Sequence, residues 1–215
     1  MYQNRKEAAV HLASFLLDYK NNPKAIVIAL PRGGVVIGYE IAKILHLPLD
    51  IVVPRKIGAP FNEELAIGSI CMDESTFDEE LIAAYSISQD YIQKKIKEEK
   101  KEAQRRLNLY RASRPPLILT NKIVLLVDDG IATGATMISS LKYIQKQKPE
   151  KIVIAVPIAA DDTVKKIEAL SIKVVCPHIL EYMMSISQGY EEFFQVNDET
   201  VIQIMEDKTL FQKGV

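Results

Sequence analysis

Five short apolar runs, most of them separated by stretches of helical period, constrain this chain more than any other feature. They lie at residues 25–30, 49–53, 123–127, 151–156 and 172–176. A brief continuous apolar run bounded by turn residues reads as a strand buried on both faces. The intervening stretches place apolar side chains three and four apart: Ala8, Leu12, Phe15, Leu16 and Tyr19 over 4–19; Ile37, Ile41, Ile44 and Leu45; then Met137, Ile138, Leu141 and Ile144. Asn4 and Glu7 can cap the first of these helices. Helices are also predicted over 88–110, over 162–170 and from about 198. Strands alternating with helices give an α/β fold, a parallel sheet with helices on both faces. Ligands of such sheets bind beyond the carboxyl ends of the strands.

The 215 residues are 48% hydrophobic, which suits one domain with elaborations. Its core runs over about 20–176, with a helical insertion at about 88–112 and a C-terminal segment at 177–215. Residues 54–70 read as a loop followed by a strand or hairpin arm near 65–70, and Pro115-Pro116 as the stop of the long helix. Residues 73–86 give no clear pattern. The tail after Pro177 reads as irregular until the last helix. The net charge of −1 supplies no field for nucleic acid. The long helix interleaves seven Lys or Arg with four Asp or Glu, a solvated face rather than an RNA-binding one. Cys71 and Cys176 form no metal spacing, and no disulfide framework is expected. The polar start Met-Tyr-Gln-Asn-Arg-Lys-Glu and the lack of a membrane-length apolar run lead to the expectation of a cytoplasmic chain.

Residues 123–136, Ile-Val-Leu-Leu-Val-Asp-Asp-Gly-Ile-Ala-Thr-Gly-Ala-Thr, carry the chemistry. A buried strand ends on two carboxylates; a loop of small and hydroxyl residues then enters a helix. Amides at a helix N-terminus suit a phosphate. Asp128 and Asp129 would repel that phosphate, so they suit a neighbouring donor such as a sugar hydroxyl. The run resembles the phosphoribosyl-pyrophosphate (PRPP) signature of type I phosphoribosyltransferases. The resemblance implies that Asp128 and Asp129 take the ribose hydroxyls. It also implies that Ile131, Ala132, Thr133, Gly134, Ala135 and Thr136 take the 5-phosphate, and that the acids hold Mg2+ through water.

Two further loops are expected at the same sheet edge. Pro31-Arg32-Gly33-Gly34 can approach an anion closely and resembles the family's pyrophosphate loop, in which a peptide is often cis or strained. Arg55 and Lys56, in Pro-Arg-Lys-Ile-Gly-Ala-Pro, resemble the start of its catalytic loop and would neutralise the leaving pyrophosphate. After residue 177, Tyr182, Met183 and Tyr190 are either an acceptor-covering hood or a flap packed on the core. His178 reads as structural. Ala132 stands where relatives acting on 6-oxopurines carry an aspartate, which disfavours that acceptor class. The whole chain also resembles a bacterial and archaeal group of phosphoribosyltransferases of uncharacterised acceptor, through Arg-Pro-Pro at 114–116, Arg-Lys-x-Gly-Ala-Pro at 55–60 and Gln-Val-x-Asp-Glu at 195–199. The implied activity is Mg2+-dependent transfer of phosphoribose from PRPP to a small heterocyclic acceptor. No nucleic acid or membrane partner is expected, and a homodimer is implied by analogy with many relatives. The alternative is a PRPP-sensing regulator without turnover. No G-x-x-x-x-G-K-[ST] loop supports a nucleotide kinase or hydrolase.

Overall fold

The computed structural model describes residues 1–112, 114 and 117–211. Strands β1 (Ala25–Ala29), β2 (Leu49–Ile51), β3 (Pro54–Ala59), β4 (Asn62–Cys71), β5 (Glu74–Phe77), β6 (Ile123–Val127), β7 (Lys151–Ala155), β8 (Ile158–Ala160), β9 (Lys173–Val175) and β10 (His178–Leu180) form three sheets. The main sheet is parallel, in the order β2-β1-β6-β7-β9. The helices are α1 (Arg5–Ser14), α2 (Gly33–Leu45), α3 (Glu79–Ala84), α4 (Gln89–Arg111), α5 (Ala135–Lys146), α6 (Asp161–Glu168) and α7 (Asp198–Met205).

The strands' two-residue period divides the core between the sheet's faces. Ala25, Val27, Ala29, Leu125 and Val127 pack with α1, α2 and α7 on one side. Ile26, Ile28, Val124 and Leu126 pack with α5 and α6 on the other. Both sets are buried, which is why each strand reads as a continuous apolar run. Among the described residues no helix is long and apolar enough to cross a membrane.

The structure corrects the sequence reading in several places. α1 ends at Ser14, and Leu17–Tyr19 form a separate 3-10 turn. Phe15 is therefore half exposed, its ring edge-on to His11. Residues 54–62 are not a loop: β3, β4 and β5 form an antiparallel arm with its own small core of Ile57, Ala59, Ile67 and Ile70 beneath Ile82, Ile87 and Ile92. The register slips around Gly58, and that irregularity, with the flanking prolines, breaks the alternation a sequence reader looks for. β10 replaces part of the expected irregular tail by pairing in parallel with β8. The expected stop of α4 at Pro115-Pro116, and with it the two prolines of the Arg-Pro-Pro feature, lie outside the described residues, whereas Arg114 is described and donates to the Met205 carbonyl at 3.0 Å.

A buried ion pair ties α4 to the edge of the sheet. Arg111 donates from Nε and Nη2 to the two oxygens of Asp50 at 2.8 and 2.9 Å, and Asp50 is 5% exposed. Removing one partner of such a pair strands the other charge in a poorly solvated site. We expect Arg111→Met to cost about 3–5 kcal/mol. The melting temperature should fall by about 2–4 °C per kcal/mol for a chain of this size. Calorimetry checks this; a melting temperature unchanged from the parent would refute it.

Candidate functional site

β6 is the central strand, and Asp128 and Asp129 emerge from its carboxyl end. The chain is then fastened to β8. The Ile131 amide donates to the Ile158 carbonyl at 3.0 Å, and the Ile131 carbonyl accepts from the Ala160 amide at 2.9 Å. Thr163 Oγ1 donates to the Ala132 carbonyl at 2.6 Å. Gly134 then opens α5 with φ +76°. A Cβ there would be strained, and it would lie 2.6 Å from Thr163 Cγ2. Among the described residues no side chain caps this helix. The first-turn amides of an α-helix have no acceptor within it, so this N-terminus presents donors at its positive end. They face a cavity of about 120 Å3, lined by Asp128, residues 130–134, Thr136, Met137 and Ile186. A water's share of liquid volume is about 30 Å3, so the space is of phosphate-group scale.

The two acids lie in different surroundings. Asp129 Oδ2 accepts from Arg5 Nε and pairs with Nη2, both at 2.8 Å. Arg5 is 9% and Asp129 7% exposed. Arg5 Nη1 also donates to the Phe194 carbonyl at 2.7 Å, and the guanidinium lies 3.9 Å from the Phe193 ring centroid. Tyr190 Oη donates to the Asp129 carbonyl at 2.5 Å. Asp128 Oδ1 accepts from the Asp129 amide at 2.8 Å, and among the described residues no cation forms an ion pair with it. Burial, and then the charge of Asp129, push the Asp128 carboxyl well above the usual carboxylate range. Burial raises Asp129 as well, against the opposing pull of Arg5. The Tyr190 hydroxyl is raised by burial first and then by Asp129.

The turn before α2 closes on these acids, as its glycines require. A Cβ on Gly33 would fall inside the Asp129 carboxylate, and one on Gly34 would lie 2.7 Å from Asp128 Oδ1. The Pro31-Arg32 peptide is cis, and α2 likewise starts without a side-chain cap among the described residues. Two helix N-termini thus converge on the end of β6. Arg32 Nη1 lies 3.3 Å from Asp198 Oδ1, which also accepts from Tyr110 Oη at 2.7 Å.

The other predicted residues are more dispersed. Arg55 and Lys56 belong to β3; Arg55 pairs with Glu99 at 2.8 Å and Lys56 with Glu64 at 3.0 Å. Tyr182 is 83% exposed, Met183 is partly buried against the core, and Tyr190 is enclosed. His178 packs edge-on against Tyr2 at 4.9 Å, beside His11, and burial lowers its pKa first. Sequence reading missed Arg5, Ile186 and Ser69. Ser69, on β4, donates to the Ala135 carbonyl at 3.0 Å and shares a short hydrogen bond with Ser139, which fixes the arm to α5. None of the three sits in a local pattern that could have revealed it.

Comparison with known proteins identifies the family and the fold. The family model described as phosphoribosyl transferase domain matches residues 1–183. Two curated Mycobacterium tuberculosis proteins, from strains CDC 1551 and H37Rv and both named for phosphoribosyl transfer, are 33% identical over 207 residues. The match covers 96% of this chain and 46% of each relative, so the chain spans about half their length. The crystal structure of TT1426 from Thermus thermophilus is 32% identical, with TM-score 0.77 over 95% of this chain and 97% of that one. A purine phosphoribosyltransferase from Pyrococcus horikoshii shares the fold at 16% identity, with TM-score 0.51 over 92% and 97% of the two chains. The parallel sheet with helices on both faces is therefore the type I phosphoribosyltransferase fold, and this chain belongs to the phosphoribosyl transferase domain family.

Proposed function

We propose that the chain transfers the 5-phosphoribosyl group of PRPP to a heterocyclic acceptor and releases pyrophosphate. The observation that supports this most is the uncapped N-terminus of α5 sharing a cavity with Asp128. Anion donors and a hydroxyl acceptor stand side by side there, as a phosphorylated sugar needs. The 5-phosphate takes the amides and hydroxyls of Ala132 to Thr136; Ile131 contributes only lining, because its amide is spent on Ile158. The acid pair faces the ribose hydroxyls. The α2 N-terminus, with Arg32, Gly33 and Gly34, receives the pyrophosphate.

Cleavage of the bond from ribose C1 to pyrophosphate builds positive charge on the sugar and negative charge on the leaving group. The protein's work is then positioning and electrostatics. Lys56 joins by releasing Glu64. Glu64 is 91% exposed, and such surface pairs are worth only about 0–1 kcal/mol. Arg55 is held more firmly, by a Glu99 that is 18% exposed. Tyr182 is the hood residue open to an acceptor, Met183 packs partly against the core, and Tyr190 supports the site from within.

Mg2+ takes one or two carboxylates with substrate oxygens and water. Among the described residues no three His, Cys, Asp or Glu side chains cluster into a self-sufficient metal site. Asp128, without a cation partner, fits an ion shared with substrate oxygens, held through water; Asp129 is already neutralised by Arg5. When bound, the ion would offset charge on the leaving pyrophosphate.

A screen of bases and amines with labelled PRPP and Mg2+ should release pyrophosphate and form a phosphoribosyl product, and chelation should stop it. Asp128→Asn should slow release by about a hundredfold, the scale of losing one preorganised electrostatic contact. Pyrophosphate release at the parent rate would count against the reading.

The unpaired Asp128 also costs stability. Its folded-state pKa is raised, so its favourable contribution is complete below the ordinary carboxylate range and is lost as pH rises through the raised value. Without ligand, Asp128→Asn should therefore melt higher than the parent at pH 7, at about 2–4 °C per kcal/mol. The advantage should shrink toward pH 4. Thermal melts at both pH values decide it, and a lower melting temperature at pH 7 would overturn the account.

A further inference from the structure

We propose that the cavity at the amino edge of the main sheet is a second ligand site, suited to a flat heterocycle joined to one phosphate, the build of a nucleoside monophosphate. The cavity holds about 640 Å3, within the roughly 300–1,000 Å3 of small-molecule pockets. Residues 21–23 before β1, the turn from α2 to β2, Lys122 before β6 and residues 209–211 meet around it. It is remote from the site at the end of β6. Gly33 opens α2 and His46 follows its last turn, and the 13 residues of that helix span about 20 Å. Ligands of parallel sheets bind at the opposite edge, so phosphoribosyl transfer assigns this cavity no role.

Charge points to an anion. Lys43, His46 and Lys122 line the cavity, and among the described residues no carboxylate does. Neither lysine forms an ion pair among the described residues: Lys122 Nζ reaches the Pro23 carbonyl at 3.5 Å, and Lys43 Nζ lies 4.9 Å from the Tyr39 ring centroid. The neighbouring acids are engaged elsewhere. Asp207 accepts from Thr209 Oγ1 at 2.6 Å and from Tyr39 Oη at 3.3 Å, and Glu150 pairs with Lys24 at 2.7 Å. Thr209 first, and Lys43 last, hold the Asp207 carboxyl low. Basic side chains at a helix C-terminus can serve its free carbonyls, but those of α2 are served by backbone. The carbonyls of Ala42, Lys43 and Leu45 accept from the amides of Leu47, His46 and Asn21 at 2.9, 3.3 and 2.9 Å. The side chains of Lys43 and His46 thus remain for a ligand. Leu47, Leu210 and Phe211 supply apolar wall. The Arg114 guanidinium lies 4.2 Å from the Phe211 ring centroid and steadies that ring. The Asn21 side chain has no hydrogen-bond partner among the described residues, and a carboxamide offers two donors and an acceptor. Cations, an aromatic face and a carboxamide in one cavity match the phosphate, the ring plane and the ring edge of a nucleotide.

NMR titration of the full chain with adenosine monophosphate tests this. The His46 ring proton, assigned with His46→Gln, reports the cavity, and the Gly134 amide reports the α5 N-terminus separately. The nucleotide should move the His46 signal saturably, whether or not PRPP and Mg2+ are present. Adenosine and inorganic phosphate, each alone, should bind there at least about tenfold more weakly. Lys43→Gln combined with Lys122→Gln should weaken the His46 response at least about tenfold, as losing hydrogen bonds to a charged group does. Phe211→Ala should weaken it at least about fivefold, the scale of a lost stacking partner, and Phe211→Tyr should restore it. These variants should leave the response of the Gly134 amide to PRPP unchanged. A His46 signal unmoved at millimolar nucleotide, an equal response to inorganic phosphate alone, or binding indifferent to the two lysines would overturn the proposal. If PRPP leaves the Gly134 amide unmoved, the transferase reading fails, and the His46 titration still decides this one.

Discussion

The Arg5–Asp129 ion pair is the contact on which the site's architecture depends. Arg5 begins α1, Asp129 follows the central strand, and the Phe194 carbonyl and Phe193 ring belong to the C-terminal segment. A buried pair of this kind is weak support for stability in itself, because desolvation consumes much of the attraction. Its value here is geometric. The first helix and the C-terminal segment are both brought to the one point where β6 gives way to the loop. Tyr190 adds a second hold on the same residue. The glycines of α2 follow as a necessity, since no side chain could stand where the acid pair lies.

Electrostatics explains why the neighbouring acid differs. Asp128 is left without a cation among the described residues, and burial with an adjacent negative charge makes its ionised form costly. Carboxyls perturbed in this way cluster at functional sites. A pair of helix N-termini nearby supplies positive potential without a formal charge, which balances part of the negative potential of the acid pair.

Much of this was legible in the sequence. Five apolar runs marked out the sheet, because strands buried on both faces leave no polar alternation to confuse the pattern. The acid pair, Gly134 and the two glycines after Arg32 marked a strand end and two strand-to-helix turns, and the structure brings those turns together. What stayed hidden was long-range. Arg5 sits 124 residues from its partner, so nothing local marks it out from any polar arginine at a helix start. β8 and β10 have three residues each, too few to show a period. The arm was obscured by its own register slip, and its tie to α5 runs through serines, Ser69 and Ser139, that read as ordinary surface residues. Conversely, Tyr190 looked available to an acceptor because an aromatic in an irregular segment has no visible partner until the chain folds back.

The bridge between Ile131 and Ala159 has a mechanical consequence. β8 joins the loop after β6 on one side to β10 and the tail on the other. The C-terminal segment and the loop after β6 are therefore coupled parts of one linkage. Any displacement of the tail would therefore be felt at the floor of the pocket, so the two move as one mechanism.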